Sequence, residues 1–187
     1  MSDILDRLSG AARESYLKLA TEGALRTVAD NIDKRKPRRF ISGIAISSRV
    51  KNANDDAFLA RGLSVTLPVA LLADHNFMYP IGRVTGIHAR GDAVHFVAEI
   101  QNNGYMHWAE DAWASIVSRF ATRVSVAPRN LENYIPRDRT LFNWTLDELS
   151  VCTHGADEHA RIQRCWQDTG IIYLDDRKSR RDFWYAP

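Results

Sequence analysis

The chain has 187 residues, 45% of them hydrophobic, which suits one domain with a substantial core. Twenty-five Lys and Arg against 23 Asp and Glu leave a formal net charge of +2, a balance that predicts neither a nucleic-acid nor an acidic-membrane partner. Two cysteines, Cys152 and Cys165, are too few for a disulfide framework and match no zinc spacing, so they read as ordinary thiols in a reducing compartment.

No apolar run approaches the roughly 18 residues that span a bilayer, and the first residues, MSDILDRLSGAARE, carry acids where a secretory signal carries an apolar core. Residues 2–31 read as an amphipathic helix, with Ile4, Leu5, Leu8, Ala11, Ala12 and Tyr16 at helical spacing and Ser2 or Asp3 as cap. The basic run KRKPRR (34–39) reads as a solvated linker. The expected organisation is therefore a helix and linker over 1–39, a folded domain over 40–176 and a tail over 177–187.

From Phe40 the pattern becomes that of strands. FISGIAISS (40–48) is rich in β-branched residues, and TLPVALLADH (66–75) is an apolar run with a polar end. GRVTGIHA (82–89) and AVHFVAEI (93–100) flank an Arg-Gly-Asp turn. MHWAEDAWASIVSRF (106–120) spaces Trp113, Ile116, Val117 and Phe120 as a helix does. TRVSVAPR (122–129) and WTLDELSVC (144–152) alternate like strands, DEHARIQRCW (157–166) reads as a helix, and GIIYLDD (170–176) as a last strand. Many short strands with few helices predict a mixed sheet or barrel, not a doubly wound fold.

Three residues could carry chemistry. His75 stands at the polar end of an apolar strand, before a Pro-Ile-Gly turn that returns the chain into the next strand. A histidine held there could take and return a proton near neutrality; a surface or structural histidine fits the same pattern. Ser125 lies between Val124 and Val126, on the opposite face of the strand. That suits a fixed nucleophile and equally a solvent-facing hydroxyl. Alternation from Trp144 puts Leu146 and Glu148 on the tryptophan's side, where a carboxylate is partly buried and wants a partner, an imidazole N–H or an arginine. Together the three could form a Ser-His-acid arrangement. With six histidines and 23 acids in the chain, spacing alone does not single them out.

The order of these segments resembles the prohead (capsid maturation) serine proteases of tailed bacteriophages, a family distantly similar to the herpesvirus assemblins. The resemblance runs from about Phe40 to Ile162. It rests on ISGIAISS, on LPVALLADHNFMYPIG with its His and Pro-Ile-Gly, on the hydrophobic-Ser-hydrophobic strand RVSVAP, and on ELSVCTHGADEHARI, similar to a Glu-hydrophobic-Ser-hydrophobic strand followed by an Ala-x-Ile helix. It implies an α+β fold, a small, mostly antiparallel β-barrel with surface helices. It implies limited endoproteolysis with Ser125 as nucleophile, His75 as base and Glu148 as the third member. His154 or His88 is the alternative third member, because assemblins use a second histidine there. No metal or cofactor is implied. The implied substrates are scaffold protein, major capsid protein and the protease itself, in the host cytoplasm inside an assembling procapsid, and assemblin analogy implies a homodimer. One departure stands out: where the family has a glycine and an aromatic after the serine, this chain has Val126-Ala127-Pro128. Proline has no N–H to donate, so the oxyanion donors stay unassigned, with Arg129 and Arg161 as candidates. The rival expectation is a non-catalytic assembly protein on the same scaffold. A nucleic-acid module resting on KRKPRR and five tryptophans lacks any recognition motif.

Overall fold

In the computed structural model the described residues are 36–48, 50–129, 134–135 and 138–175. The chain divides into units at 1–36 and 37–187. The expected N-terminal helix and the first two residues of the basic linker (34–39) lie outside the described residues, as does the tail at 177–187.

The described part of the second unit holds twelve strands and one α-helix. The strands are β1 (Arg39–Ser47), β2 (Ala57–Phe58), β3 (Leu63–Ser64), β4 (Val69–Ala73), β5 (Asn76–Arg90), β6 (Ala93–Ile100), β7 (Arg123–Arg129), β8 (Tyr134–Ile135), β9 (Thr140–Leu141), β10 (Trp144–Cys152), β11 (Arg161–Gln167) and β12 (Ile172–Asp175); α1 spans His107–Val117. In the main sheet the order is β1-β6-β5-β4-β10-β7-β11, and β11 pairs back to β1. The result is a closed seven-stranded barrel, antiparallel throughout except where β10 runs parallel to β4. Closure removes the sheet's edges. β3 adds to β10 and β12 to β11, while β2, β9 and β8 form a separate small sheet. Ile41, Leu71, Ile81, Val84, Phe96, Ala98, Leu149 and Ile162 fill the core.

The β5–β6 hairpin turns at Gly91, whose left-handed φ of 59° suits glycine. α1 buries Ala109, Trp113 and Ile116. Trp108 anchors it by donating Nε1–H to the Pro80 carbonyl at 2.8 Å. The helix ends at Val117, so Phe120, expected on its apolar face, lies beyond it and is exposed. Among the described residues no helix is long and apolar enough to cross a membrane.

Two sequence expectations are corrected. Residues 157–166 do not form a helix, nor do they include the Ala-x-Ile helix of the resemblance; their second half belongs to β11. Ile162 and Cys165, three apart, are both buried. On β11, Arg164 faces Ser42 while Ile162 faces Gly43, so Gln163 is an extra residue in a β-bulge. A bulge shifts the alternation by one, and here it yields the spacing of a helix. Nor is Pro-Ile-Gly a turn: Pro80, Ile81 and Gly82 lie inside β5. The chain reverses earlier, at Asp74–His75, and the register slips around Pro80, where a proline is tolerated within a sheet.

Candidate active site

The turn at Asp74–His75 has left-handed backbone at both residues, φ 48° and 59°, a region uncommon for residues other than glycine and most often entered, among those, by Asn, Asp and His. β10 holds it there. The Asp74 N–H donates to the Val151 carbonyl at 3.1 Å, and the His75 N–H donates to Ser150 Oγ at 2.9 Å. The imidazole then meets Glu148, with Nδ1 and Oε1 2.5 Å apart. Glu148 is 1% exposed, whereas the His75 side chain is 44% exposed. A buried carboxylate against Nδ1 keeps the proton on that nitrogen and leaves Nε2 to accept one from a neighbour.

Glu148 reaches this position through a second bulge. Leu146 faces Pro128 and Glu148 faces Ala127, so Asp147 is the extra residue on β10. The bulge reverses the alternation: Trp144 and Leu146 enter the core before it, Leu149 and Val151 after it. Glu148 is therefore on the opposite face from Trp144, not the same face as simple alternation predicts. Its burial comes from the β4–β5 turn above it.

The same register sets Ser125 of β7 directly opposite Ser150 of β10. Directly opposed residues point to one face with Cβ atoms roughly 5 Å apart, so Ser125, Ser150 and Glu148 share the face on which His75 rests. Ser125 and His75 both line a cavity of about 450 Å³, whose walls include Ile46, Phe58 and Leu141. No hydrogen bond joins the Ser125 hydroxyl to the imidazole among the described residues; such bonds often tighten only when substrate is present.

The alternatives for the third position lie elsewhere. His154 is exposed, with Nδ1 3.1 Å from Thr153 Oγ1. His88 stacks on His95 near the tip of the β5–β6 hairpin, ring centres 5.5 Å apart. Neither lines the cavity. Nor do the arginines considered as oxyanion donors: Arg129 pairs with Asp147, and Arg161 borders a different hollow with Arg119 and Arg123. The guanidinium that does line the cavity is Arg139, which pairs with Asp56 Oδ1 at 2.9 Å and donates to the Asn54 carbonyl at 2.9 Å. Asp157, also on the wall, accepts the Ser47 N–H at 2.6 Å. Sequence reasoning passed over Ser150, Arg139 and Asp157. For Ser150 a signal existed, its place two residues after Glu148 in ELSV; Arg139 and Asp157 sit in loops without periodicity.

A closed seven-stranded barrel of this order is an assemblin-like fold, that of the herpesvirus proteases. The crystal structure of the protease of Kaposi's sarcoma-associated herpesvirus in complex with a hexapeptide phosphonate inhibitor superposes with a TM-score of 0.52 and 14% identity, over 70% of this chain and 66% of that one. The varicella-zoster virus protease gives 0.44 and 12%, over 67% of this chain and 63% of that one. The chain thus spans just under two thirds of the length of each. No protein-family model and no curated protein matches the sequence.

Proposed function

We propose that this chain is a serine endopeptidase of the prohead-maturation kind, with Ser125 as nucleophile, His75 as general base and Glu148 as the carboxylate that orients the base. The observation that carries the reading is the 2.5 Å contact between His75 Nδ1 and the buried Glu148, which leaves the other ring nitrogen at a cavity that Ser125 also lines. His75 Nε2 takes the Ser125 hydroxyl proton as Oγ attacks a peptide carbonyl carbon. The imidazolium then protonates the departing amine. Water, deprotonated by the same ring, releases the acyl group and restores the serine. These steps call on no cofactor. The substrates in this reading are scaffold protein, the major capsid protein and the chain itself, cut inside a procapsid assembling in the host cytoplasm. The acting form is a homodimer. Substrates and place rest on the resemblance of the His75, Ser125 and Glu148 segments to the prohead proteases, and the dimer on the analogy with the assemblins.

Co-expression with the candidate scaffold or capsid protein, followed by mass spectrometry, tests the reading. Discrete cleavage by the wild type disappears in Ser125→Ala and His75→Ala, with losses of about 10³-fold or more. Glu148→Gln loses less, because an amide oxygen still accepts the Nδ1–H. Equal, intact substrate in wild type and Ser125→Ala overturns it. One observation favours a second reading, an assembly protein that binds without cutting: Pro128, three residues past the serine on the cavity wall, has no N–H to offer an oxyanion. In that case the wild type retains its partner uncut.

A further inference from the structure

We infer that Ser150 is the positioning residue of the catalytic base, a role that rests on the proteolytic reading above. Ser150 is 0% exposed, and its single hydroxyl makes two bonds to two members of the site. Oγ donates its proton to Glu148 Oε2 at 2.7 Å and accepts the backbone N–H of His75 at 2.9 Å. The first bond occupies one carboxylate oxygen, so the other, Oε1, is the one presented to His75 Nδ1. The second pins the left-handed turn that carries the imidazole. A hydroxyl is the smallest group able to donate in one direction and accept in another. Asp147's bulge aims it outward, and the β7 register puts it beside Ser125.

An alanine here removes both bonds at once. Glu148 Oε2 and the His75 N–H are left unpaired at a buried site, and the turn is freer to relax toward ordinary φ. The carboxylate then has no fixed rotamer and the ring no fixed height above the cavity. Binding of a substrate is untouched, because Ser150 is sealed from solvent and does not line the cavity. The loss therefore falls on the chemical step.

The full chain treated with a fluorophosphonate probe, which labels activated serines, tests this. Wild type labels at Ser125 and Ser125→Ala does not. Absence of labelling in the wild type sinks the proteolytic reading itself, and the positioning role with it. Given labelling, Ser150→Ala lowers the limiting inactivation rate about 10–100-fold with the half-saturating probe concentration unchanged. Ser150→Cys, of similar size with a weaker donor, falls between the two. Proton NMR supplies an independent readout: the wild type shows a far-downfield His75 Nδ1–H that is retained in Ser125→Ala and lost in Ser150→Ala. Inactivation by Ser150→Ala within twofold of the wild type, or a retained Nδ1–H resonance, overturns the inference. If Ser150→Ala does not fold, Ser150→Cys decides by the same rate and resonance.

Discussion

Glu148 is an ionisable side chain almost wholly removed from water, and its environment makes that tolerable: one oxygen faces His75 and the other accepts a hydroxyl. A buried acid without such partners is strongly disfavoured. The two thiols show the opposite case. Cys152 and Cys165 are buried, and burial first pushes each thiol up to about 11 from its ordinary 9.0; for Cys152 the negative charges of Asp74 and Glu148 add to the effect. For a group whose pKa is raised on folding, the contribution to stability is full below the unfolded value and is lost as pH climbs toward the folded one. The melting temperature is therefore expected to fall between about pH 9 and 11, and to fall less steeply in the Cys152→Ala, Cys165→Ala double variant. At pH 8 both thiols should react with Ellman's reagent far more slowly in the native chain than in urea.

At the level of elements, the bulge at Asp147 decides which residues β10 sends inward. Deleting Asp147 restores plain alternation, and either Trp144 with Leu146 or Leu149 with Val151 must leave the core. At about 1.5–3 kcal/mol for each large apolar side chain exposed, the deletion removes a large part of a typical 5–15 kcal/mol stability. Urea denaturation should show it mostly unfolded, whereas Asp147→Asn keeps the bulge, loses the pair with Arg129 and stays within about 1 kcal/mol of wild type. The same kind of feature sets the limit on what could be read from the chain. β6, α1 and β7 are legible because their periods run unbroken, whereas β1 and β5 show through their β-branched residues and the Arg-Gly-Asp turn although bulges at Ala45 and Thr85 interrupt their alternation. β11 reads as a helix because Gln163 bulges, and plain alternation puts Glu148 on the wrong face because Asp147 does; a bulge shifts the local period, and without the partner strand that shift looks like a different element or a different face. The segments bearing His75, Ser125 and Glu148 stood out by order and context, while the hydroxyl that ties two of them together became visible only when β4, β7 and β10 lay side by side.

For the whole molecule the decisive contact is the pairing of β1 with β11. Gly43 lies at the seam: a Cβ there would stand 2.0 Å from the Arg161 carbonyl oxygen and 2.9 Å from the Gln163 nitrogen. Both are backbone atoms of the closing strand, so relief requires the seam to open. Gly43→Ala is expected to destabilise by about 1–3 kcal/mol or more, seen as a lower melting temperature. Gly91→Ala, with nothing within 4 Å and only a left-handed φ to tolerate, should lose about 1–2 kcal/mol. The seam also joins residues far apart in the chain, as where Arg38 N–H bonds Asp168 Oδ1 130 positions away. Contacts so distant in sequence make folding slow, and they impose an order on synthesis. During translation, at roughly 5–20 residues per second, the segments carrying His75, Ser125 and Glu148 are all exposed before the strand that completes the ring exists. The ring that holds these segments therefore closes only after β11, ending at Gln167, has cleared the ribosome.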